Sequence, residues 1–352
     1  MLSYFDGPAA VDPYRARVYR AVFLAAGVYN LAFGAWAGLF PLAFFRVMEL
    51  PAPVYPSIWA CLGMVVGVYG LLYLYAALRL ERARPIIVVG LLGKLLGPAG
   101  LAWGALTGGE LPGRMVSLLV FNDLCWWLAF ALFLLEGTRL GERARRSAPL
   151  AAAAVHLLAM AAMALTLRPG TEVQADVRLR AAYVDAHPLL WALSWPVWMA
   201  AAMSLTGFCA WWAARVRGSR LAAAAVAIAA AGMLIDLSGE ALYLGWLPWL
   251  ADGVLADAPG AAERFAHLQR AGTVLTGVFA NGLYTAAGIM LTLATPSLSP
   301  LARTVAWSAW AAGAALVVSA AIGSAPALVA SSAVLFPLVV FTALLVGREL
   351  KD

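Results

Sequence analysis

The stretch PIIVVGLLGKLLGPAGLAWG, residues 85–104, decides the class of fold, because it is long enough to cross a bilayer and carries one charge, Lys94. An apolar helix of about 20 residues spans the hydrocarbon core of a membrane. The whole chain shares this character: 64% of its 352 residues are hydrophobic and only 12% are charged. Soluble domains carry about 25% charged residues. The composition therefore predicts an integral membrane protein.

Ten apolar stretches of this kind follow one another along the chain. They predict an all-α, polytopic membrane protein with about ten transmembrane helices. Pro98 and Pro196 fall inside two of these spans and are the candidates for broken helices. The predicted spans are residues 19–40, 57–78, 85–106, 115–135, 149–167, 188–213, 221–247, 270–293, 302–321 and 327–347.

The basic residues between the spans predict an orientation, since cytoplasmic loops are enriched in arginine and lysine. With the N-terminus in the cytoplasm, 16 of the 24 basic residues lie on the cytoplasmic side and 7 on the opposite side, and Lys94 lies within a span. We therefore predict that both termini are cytoplasmic and that the protein is a multi-pass protein of the cell inner (plasma) membrane. The net charge of +6 then indicates contact with anionic lipid headgroups and no nucleic-acid partner.

A basic linker at residues 139–148 divides the chain into two predicted halves. Residues 1–138 hold four of the spans, and residues 149–352 hold six. The halves show no internal repeat, which argues against a transporter built from inverted repeats. Two outer connections, 168–187 and 248–269, are longer than the others and are predicted to be loops.

Four charged side chains fall inside the predicted spans, and they mark where function should be sought. A charge at the centre of a bilayer costs between about 3 and more than 10 kcal/mol, so each needs a partner, water or a functional role. These residues are Lys94, Asp123, Asp236 and Glu240.

Lys94 and Asp123 are predicted to meet in the first half. Counted along antiparallel neighbouring helices, they lie roughly 14 and 16 Å from the cytoplasmic side, so their opposite charges reach nearly the same depth. Asn30 falls at a similar depth and is predicted to complete a buried ion-pair cluster. Two interpretations stay open: the pair locks a helical hairpin, or it binds a ligand or couples to protons.

Asp236, Glu240 and Tyr243 are spaced at i, i+4 and i+7, which places them on one face of a helix. Two acids one turn apart repel if both ionise, so such a pair suits proton transfer or cation binding. Alternatively, Glu240 is simply hydrated at the end of its helix.

These acids are predicted to belong to an outward-facing polar pocket lined by indoles. The further binding residues predicted there are His187, Trp191, Trp195, His267, Arg270 and Asn281. The chain has 3 histidines and no HxxxH, HExxH or HxxH motif, so no metal site is predicted. Nucleotide-binding loops are also missing from the sequence, and no cofactor is predicted.

Three stretches of the first half carry a resemblance to a known family: YPSIWACLGMVVGVYG (55–70), RPIIVVGLLGKLLGPAG (84–100) and NDLCWW (122–127). They resemble a group of small bacterial four-helix membrane proteins, sometimes labelled alkyl hydroperoxide reductase. The resemblance covers about residues 18–136 and implies the same helical arrangement without implying a mechanism. Peroxide reduction needs an accessible thiolate of lowered pKa, whereas the cysteines of this half lie in apolar segments. The second half carries no such resemblance.

Three functions remain open from the sequence. The leading hypothesis is a membrane protein that binds and transports a small or lipophilic molecule through its buried polar site. The second is an integral-membrane enzyme that acts on a lipid or isoprenoid by acid/base chemistry, with Asp236, Glu240 and His187 as the reacting groups. The third is a structural subunit of a membrane complex. Expected partners are membrane lipids and a small lipophilic ligand, with a homo-oligomer or a membrane-complex partner as further alternatives.

Overall fold

The computed structural model describes residues 11–106, 113–216 and 218–350, and every regular element in these ranges is helical. Ten of the helices are long and apolar enough to cross a membrane, which confirms the predicted all-α polytopic architecture. We number them span 1 to span 10: Pro13–Leu39, Pro56–Leu78, Arg84–Gly104, Gly113–Leu134, Ala148–Gly170, Pro188–Arg215, Arg220–Leu255, Ala261–Ala294, Pro300–Ile322 and Ala325–Glu349. Large apolar side chains such as Leu96 and Val318 stay exposed on these helices, as expected for surfaces that face lipid.

The ends of the spans follow the usual chemistry of helix termini. Asp12 caps span 1 by accepting hydrogen bonds from the backbone N–H groups of Tyr14 (3.0 Å) and Arg15 (3.2 Å). Span 9 ends at Gly323, which adopts a left-handed conformation with φ of 70°. Pro98 and Pro196, predicted as candidate breaks, lie inside continuous helices, so that prediction is wrong.

The two connections predicted to be outer loops, 168–187 and 248–269, are mostly helical, which corrects the sequence interpretation. The first contains the helix Val177–Ala186, which Asp176 caps. The second is shortened because span 7 continues to Leu255 and span 8 already begins at Ala261. These helices bury apolar side chains against each other in one cluster of the core, and that tertiary packing outweighs their polar composition.

Four of the spans contain a π-helical turn, in which backbone hydrogen bonds run from i to i+5. Such turns are rare and frequently lie at functional sites. They occur in spans 4, 5, 7 and 8, at Val120–Leu124, Met163–Leu167, Leu242–Trp246 and Val274–Ala280.

The chain divides into two compact units. The first comprises the described residues of Met1–Leu111 and Phe121–Arg143, and the second those of Pro112–Val120 and Ala144–Asp352. An aromatic cluster forms the core of the first unit: Phe23 contacts Phe130 and Phe133 edge to face, with centroids 5.5 and 5.0 Å apart.

The core of the second unit is built around two tryptophans of span 6, Trp191 and Trp195, with Leu247 and Phe265. The short segment 113–120 belongs to this unit, where Ser117 accepts a hydrogen bond of 3.0 Å from the indole of Trp246. The predicted orientation across the membrane stays a prediction. Among the residues counted for it, Arg217 and Lys351 lie outside the described residues.

Candidate functional site

Lys94 lies within span 3 and is only 4% exposed, so its ammonium group needs partners inside the protein. Nζ donates a hydrogen bond to the backbone carbonyl of Asn122. That carbonyl belongs to the π turn of span 4, where the shifted backbone pattern leaves carbonyls able to accept from side chains. In return, Nε1 of Trp127 donates to the carbonyl of Lys94 at 3.1 Å. The π turn therefore supplies the acceptor for the buried lysine.

Aromatic rings surround the same ammonium group. Nζ of Lys94 lies 5.7 Å from the ring centroids of Tyr73 and Trp126 and 5.9 Å from that of Phe130. A cation within about 6 Å of a ring face is attracted by the negative charge of the ring's π system. The rings and the carbonyl together offset the desolvation of the lysine.

Asp123 reaches the same region, but the predicted Lys94–Asp123 pair does not form as a direct contact. Neither residue forms an ion pair within 4.0 Å in the described part of the chain. Oδ1 of Asp123 instead accepts from Nδ2 of Asn122 at 3.1 Å, and Oδ2 is buried with no hydrogen-bond partner among the described residues. A β-carbon at Gly97 would lie 2.9 Å from Oδ2, so this glycine makes room for the carboxylate. Lys94 and Asp123 still act electrostatically on each other.

Asn30, the predicted third member of this cluster, is buried in span 1. No hydrogen bond joins it to Lys94 or Asp123 within the described ranges, and its Oδ1 has no hydrogen-bond partner there. The structure therefore buries all three residues without linking them into one hydrogen-bonded cluster.

Asp236 and Glu240 lie one turn apart on span 7, and we call them the acid pair. Glu240 is 2% exposed, and its Oε2 has no hydrogen-bond partner among the residues that the structure describes. Asp236 is partly buried. The groups that act electrostatically on the pair are the two acids themselves and Tyr284, and none of these is basic. The acid pair therefore has no counter-charge within the described part of the protein.

Tyr284 of span 8 is the third polar group at the acid pair, and it was not among the predicted binding residues. Its hydroxyl lies beside the carboxyl of Asp236 and is buried, although it forms no well-aligned hydrogen bond. Gly232, one turn before Asp236, lets the ring approach: a β-carbon there would lie 3.1 Å from Cε1 of Tyr284. The thiol of Cys209, in span 6, also lies near this hydroxyl. Spans 6, 7 and 8 thus each contribute a group near the Tyr284 hydroxyl.

Trp191, Trp195 and Tyr243 form a packed block beside the acid pair. The rings of Trp195 and Tyr243 stack with centroids 4.5 Å apart and an interplanar angle of 1°. Nε1 of Trp191 donates to the Tyr243 carbonyl at 2.8 Å, and the Tyr243 hydroxyl donates to the Gln269 carbonyl at 2.9 Å. Because Tyr243 covers the ring of Trp195, this block is core and not the open, indole-lined wall that was predicted.

The two histidines of the predicted pocket, His187 and His267, do not join the acid pair, which corrects that prediction. His187 is exposed where span 6 begins; its ring stacks on Tyr183 at 4.4 Å, and Nδ1 lies 3.0 Å from the Tyr183 carbonyl. His267 is exposed on span 8. His187 lies just before span 6 and His267 lies in the second turn of span 8, and spacing along the sequence could not show that both side chains are exposed.

Asn281 and Arg270 also lie elsewhere than predicted. Nδ2 of Asn281 donates to the Gly313 carbonyl at 2.8 Å and so links spans 8 and 9. Arg270 donates to the Ala321 carbonyl at 2.8 Å and lines a cavity of about 180 Å³, which we call the arginine cavity. Its lining residues are Glu172, Arg180, Arg270, Thr273, Ser319, Ala320, Gly323, Ala325 and Leu328.

Sequence reasoning also missed a buried polar cluster at the end of span 4. Glu136 is 3% exposed; it accepts a hydrogen bond from the Tyr19 hydroxyl at 2.9 Å and pairs with Arg15 at 3.2 Å. Arg84 donates to the Glu136 carbonyl at 2.9 Å. Glu136 directly follows the predicted end of its span, on the side predicted to be rich in arginine, and that proximity is the signal that could have indicated the cluster.

No group of three or more His, Cys, Asp or Glu side chains suited to a metal ion occurs among the described residues. The chain matches no protein-family model, no curated protein and no solved structure.

Proposed function

We propose that the protein is a membrane transport protein that moves a small or lipophilic molecule, and that the acid pair binds the proton or monovalent cation coupled to this movement. The observation that supports the proposal is a pair of carboxyl groups inside a span, one turn apart, with no basic side chain facing them among the described residues.

The electrostatic cost indicates what the acid pair must bind. Two carboxylates about 6 Å apart repel by about 3 kcal/mol at an effective dielectric constant of about 20. That repulsion adds to the desolvation cost of each charge at membrane depth, which is itself about 3 kcal/mol or more. A bound proton or cation removes most of both costs. Exchange of that ion changes the charge inside the second unit, which is the property a coupled transporter requires.

The hypothesis of an acid/base enzyme is less well supported. It needed His187 beside Asp236 and Glu240, but His187 stacks on Tyr183 at the surface. The acid pair has no basic partner among the described residues and only one tyrosine hydroxyl beside it. This arrangement suits reversible ion binding better than a reaction that needs separate acid and base groups.

Labelling with a hydrophobic carbodiimide, which reacts with protonated carboxyls in apolar surroundings, tests the acid pair. We expect one adduct per chain by intact mass spectrometry, mapped to Asp236 or Glu240, with a yield that falls as the pH rises. Sodium ions will protect the site if it also binds a monovalent cation. The variant D236N/E240Q should lose the adduct. The matched control D123N removes a buried acid from the first unit and should keep it.

Native mass spectrometry of the purified protein tests the transported molecule. A small molecule retained by the wild type and lost from E240Q would identify the cargo for a flux assay driven by a proton gradient. Labelling that is unchanged in D236N/E240Q, or an imposed gradient that drives equal flux in wild type and E240Q, would refute the proposal.

A further inference from the structure

The arginine cavity is built from elements that lie far apart in the sequence. Arg180 comes from the helix Val177–Ala186, and Arg270 and Thr273 come from span 8. The end of span 9 and the first turns of span 10 close the other side, from Ser319 to Leu328. All of these residues belong to the second unit.

Arg180 places a buried positive charge in the wall of the cavity. The residue is 6% exposed, and its Nε is buried with no hydrogen-bond partner in the described part of the chain. One guanidinium nitrogen, Nη1, donates a hydrogen bond to Oε1 of Gln269. The same glutamine is held in place because its Nε2 donates to the Gly170 carbonyl at 2.7 Å. Burial lowers the pKa of Arg180, and Glu172 and Asp176 oppose this effect. The guanidinium nevertheless remains charged at neutral pH, because the pKa of arginine starts above 12.

The carboxylate that lines the arginine cavity, that of Glu172, already has a hydrogen-bond partner. Glu172 accepts a hydrogen bond from the Thr273 hydroxyl, and neither Arg180 nor Arg270 forms an ion pair within 4.0 Å among the described residues. The lining therefore contains two guanidinium groups and one carboxylate. The N-terminus of span 10, capped by Ser324, adds its positive end at Ala325.

We infer that the arginine cavity binds a single compact anionic group, a carboxylate or a phosphate. Arginine forks and helix N-termini are the groups that proteins use to hold such anions. A volume of about 180 Å³ is too small for a drug-sized ligand, whose pockets measure roughly 300–1,000 Å³. The anion comes either from a free small molecule or from the headgroup of an anionic lipid, and the two sources share this chemistry.

Calorimetric titration of the purified protein with sodium phosphate and with sodium acetate, at constant ionic strength, tests binding of a free anion. We expect saturable binding at one site in the wild type. R270Q should weaken it roughly 10- to 100-fold, because a charge-assisted hydrogen bond is lost. The control is R178Q: Arg178 lies on the same short helix as Arg180 but is exposed and paired with Asp257, so its loss should leave the affinity unchanged.

E172Q provides a change of opposite sign that misfolding cannot imitate. Removing the only carboxylate of the lining should tighten phosphate binding, by roughly 3- to 10-fold for one relieved repulsion near a protein surface. A second arm uses nanodiscs of phosphatidylglycerol or of phosphatidylcholine and counts retained lipids by native mass spectrometry. Retention of phosphatidylglycerol that R270Q abolishes identifies a lipid headgroup as the source.

The inference is overturned if neither phosphate, acetate nor phosphatidylglycerol binds in a way that R270Q weakens. It is also overturned if R178Q has the same effect as R270Q, since the response would then reflect surface charge. Because the acid pair is not altered in these variants, failure here leaves the carbodiimide result on Asp236 and Glu240 unaffected.

Discussion

The crossing of spans 1 and 2 allows a quantitative prediction, because two facing glycines should respond in opposite ways to the same substitution. A β-carbon added at Gly34 would lie 2.6 Å from the carbonyl oxygen of Gly63 and 2.7 Å from the backbone nitrogen of Gly67. A β-carbon added at Gly67 would meet only the Cα of Gly34, at 3.8 Å. The first substitution forces two backbones apart, whereas the second adds an ordinary van der Waals contact.

The magnitudes follow from these distances. Inserting a methyl group into a well-packed core costs about 1–3 kcal/mol. Alanine is better than glycine in a helix interior by about 0.5–1 kcal/mol. We therefore expect G34A to lower the free energy of unfolding by roughly 0.5–2 kcal/mol and G67A to raise it by about 0.5–1 kcal/mol. Helix propensity cancels between the two variants, so their difference of about 2 kcal/mol measures the backbone clash alone.

Unfolding in mixed micelles of increasing dodecyl sulfate content, followed by tryptophan fluorescence, measures both variants on one scale. Spans 1 and 2 belong to the first unit, so the transition should be followed together with protection of that unit from proteolysis. If G67A destabilises as much as G34A, or if the two variants do not differ, the close approach of these helices at Gly34 is wrong.

Two further stability predictions use the same unfolding assay. E136A should cost about 2–4 kcal/mol, because it removes the buried partner of Arg15. E142A should cost less than about 1 kcal/mol, because Glu142 lies 3.8 Å from Arg15 and is half exposed. Equal losses of stability in E136A and E142A would contradict the importance of burial. Y243F should cost about 1–3 kcal/mol, since it keeps the stack on Trp195 but leaves buried hydrogen-bonding groups without their partner. A neutral Y243F would show that the hydroxyl is hydrated and not buried.

The sequence was sufficient for the membrane architecture, because hydrocarbon imposes a length and an apolar composition on each span that can be counted directly. Each of the ten helices overlaps a predicted span. The one-turn spacing of Asp236 and Glu240 could be predicted for the same reason, since it depends on one helix alone.

Contacts between helices could not be predicted in this way. Lys94 and Asp123 were placed at one depth by counting residues, but depth does not determine which acceptor a long side chain reaches. Nζ of Lys94 donates to the Asn122 carbonyl instead of pairing with the Asp123 carboxylate. Glu172 and Arg180 were missed because they fall in a segment whose composition predicts a loop, although its helix packs against span 7 and closes a cavity.

The irregular helices explain why proline was a misleading signal for the polar sites. Pro98 and Pro196 remain inside continuous helices, whereas several of the carbonyls that accept hydrogen bonds from buried side chains lie in π turns. Three such acceptors are the carbonyls of Asn122, Thr166 and Tyr243. They accept hydrogen bonds from the side chains of Lys94, Tyr183 and Trp191, respectively. A π turn needs no particular residue type, so it leaves no mark in the composition. In a bilayer this is an advantage over a broken helix, because most backbone groups keep their partners while a few carbonyls become available to a buried donor. In both units, therefore, shifted hydrogen bonding within a membrane-spanning helix supplies acceptors for buried polar side chains.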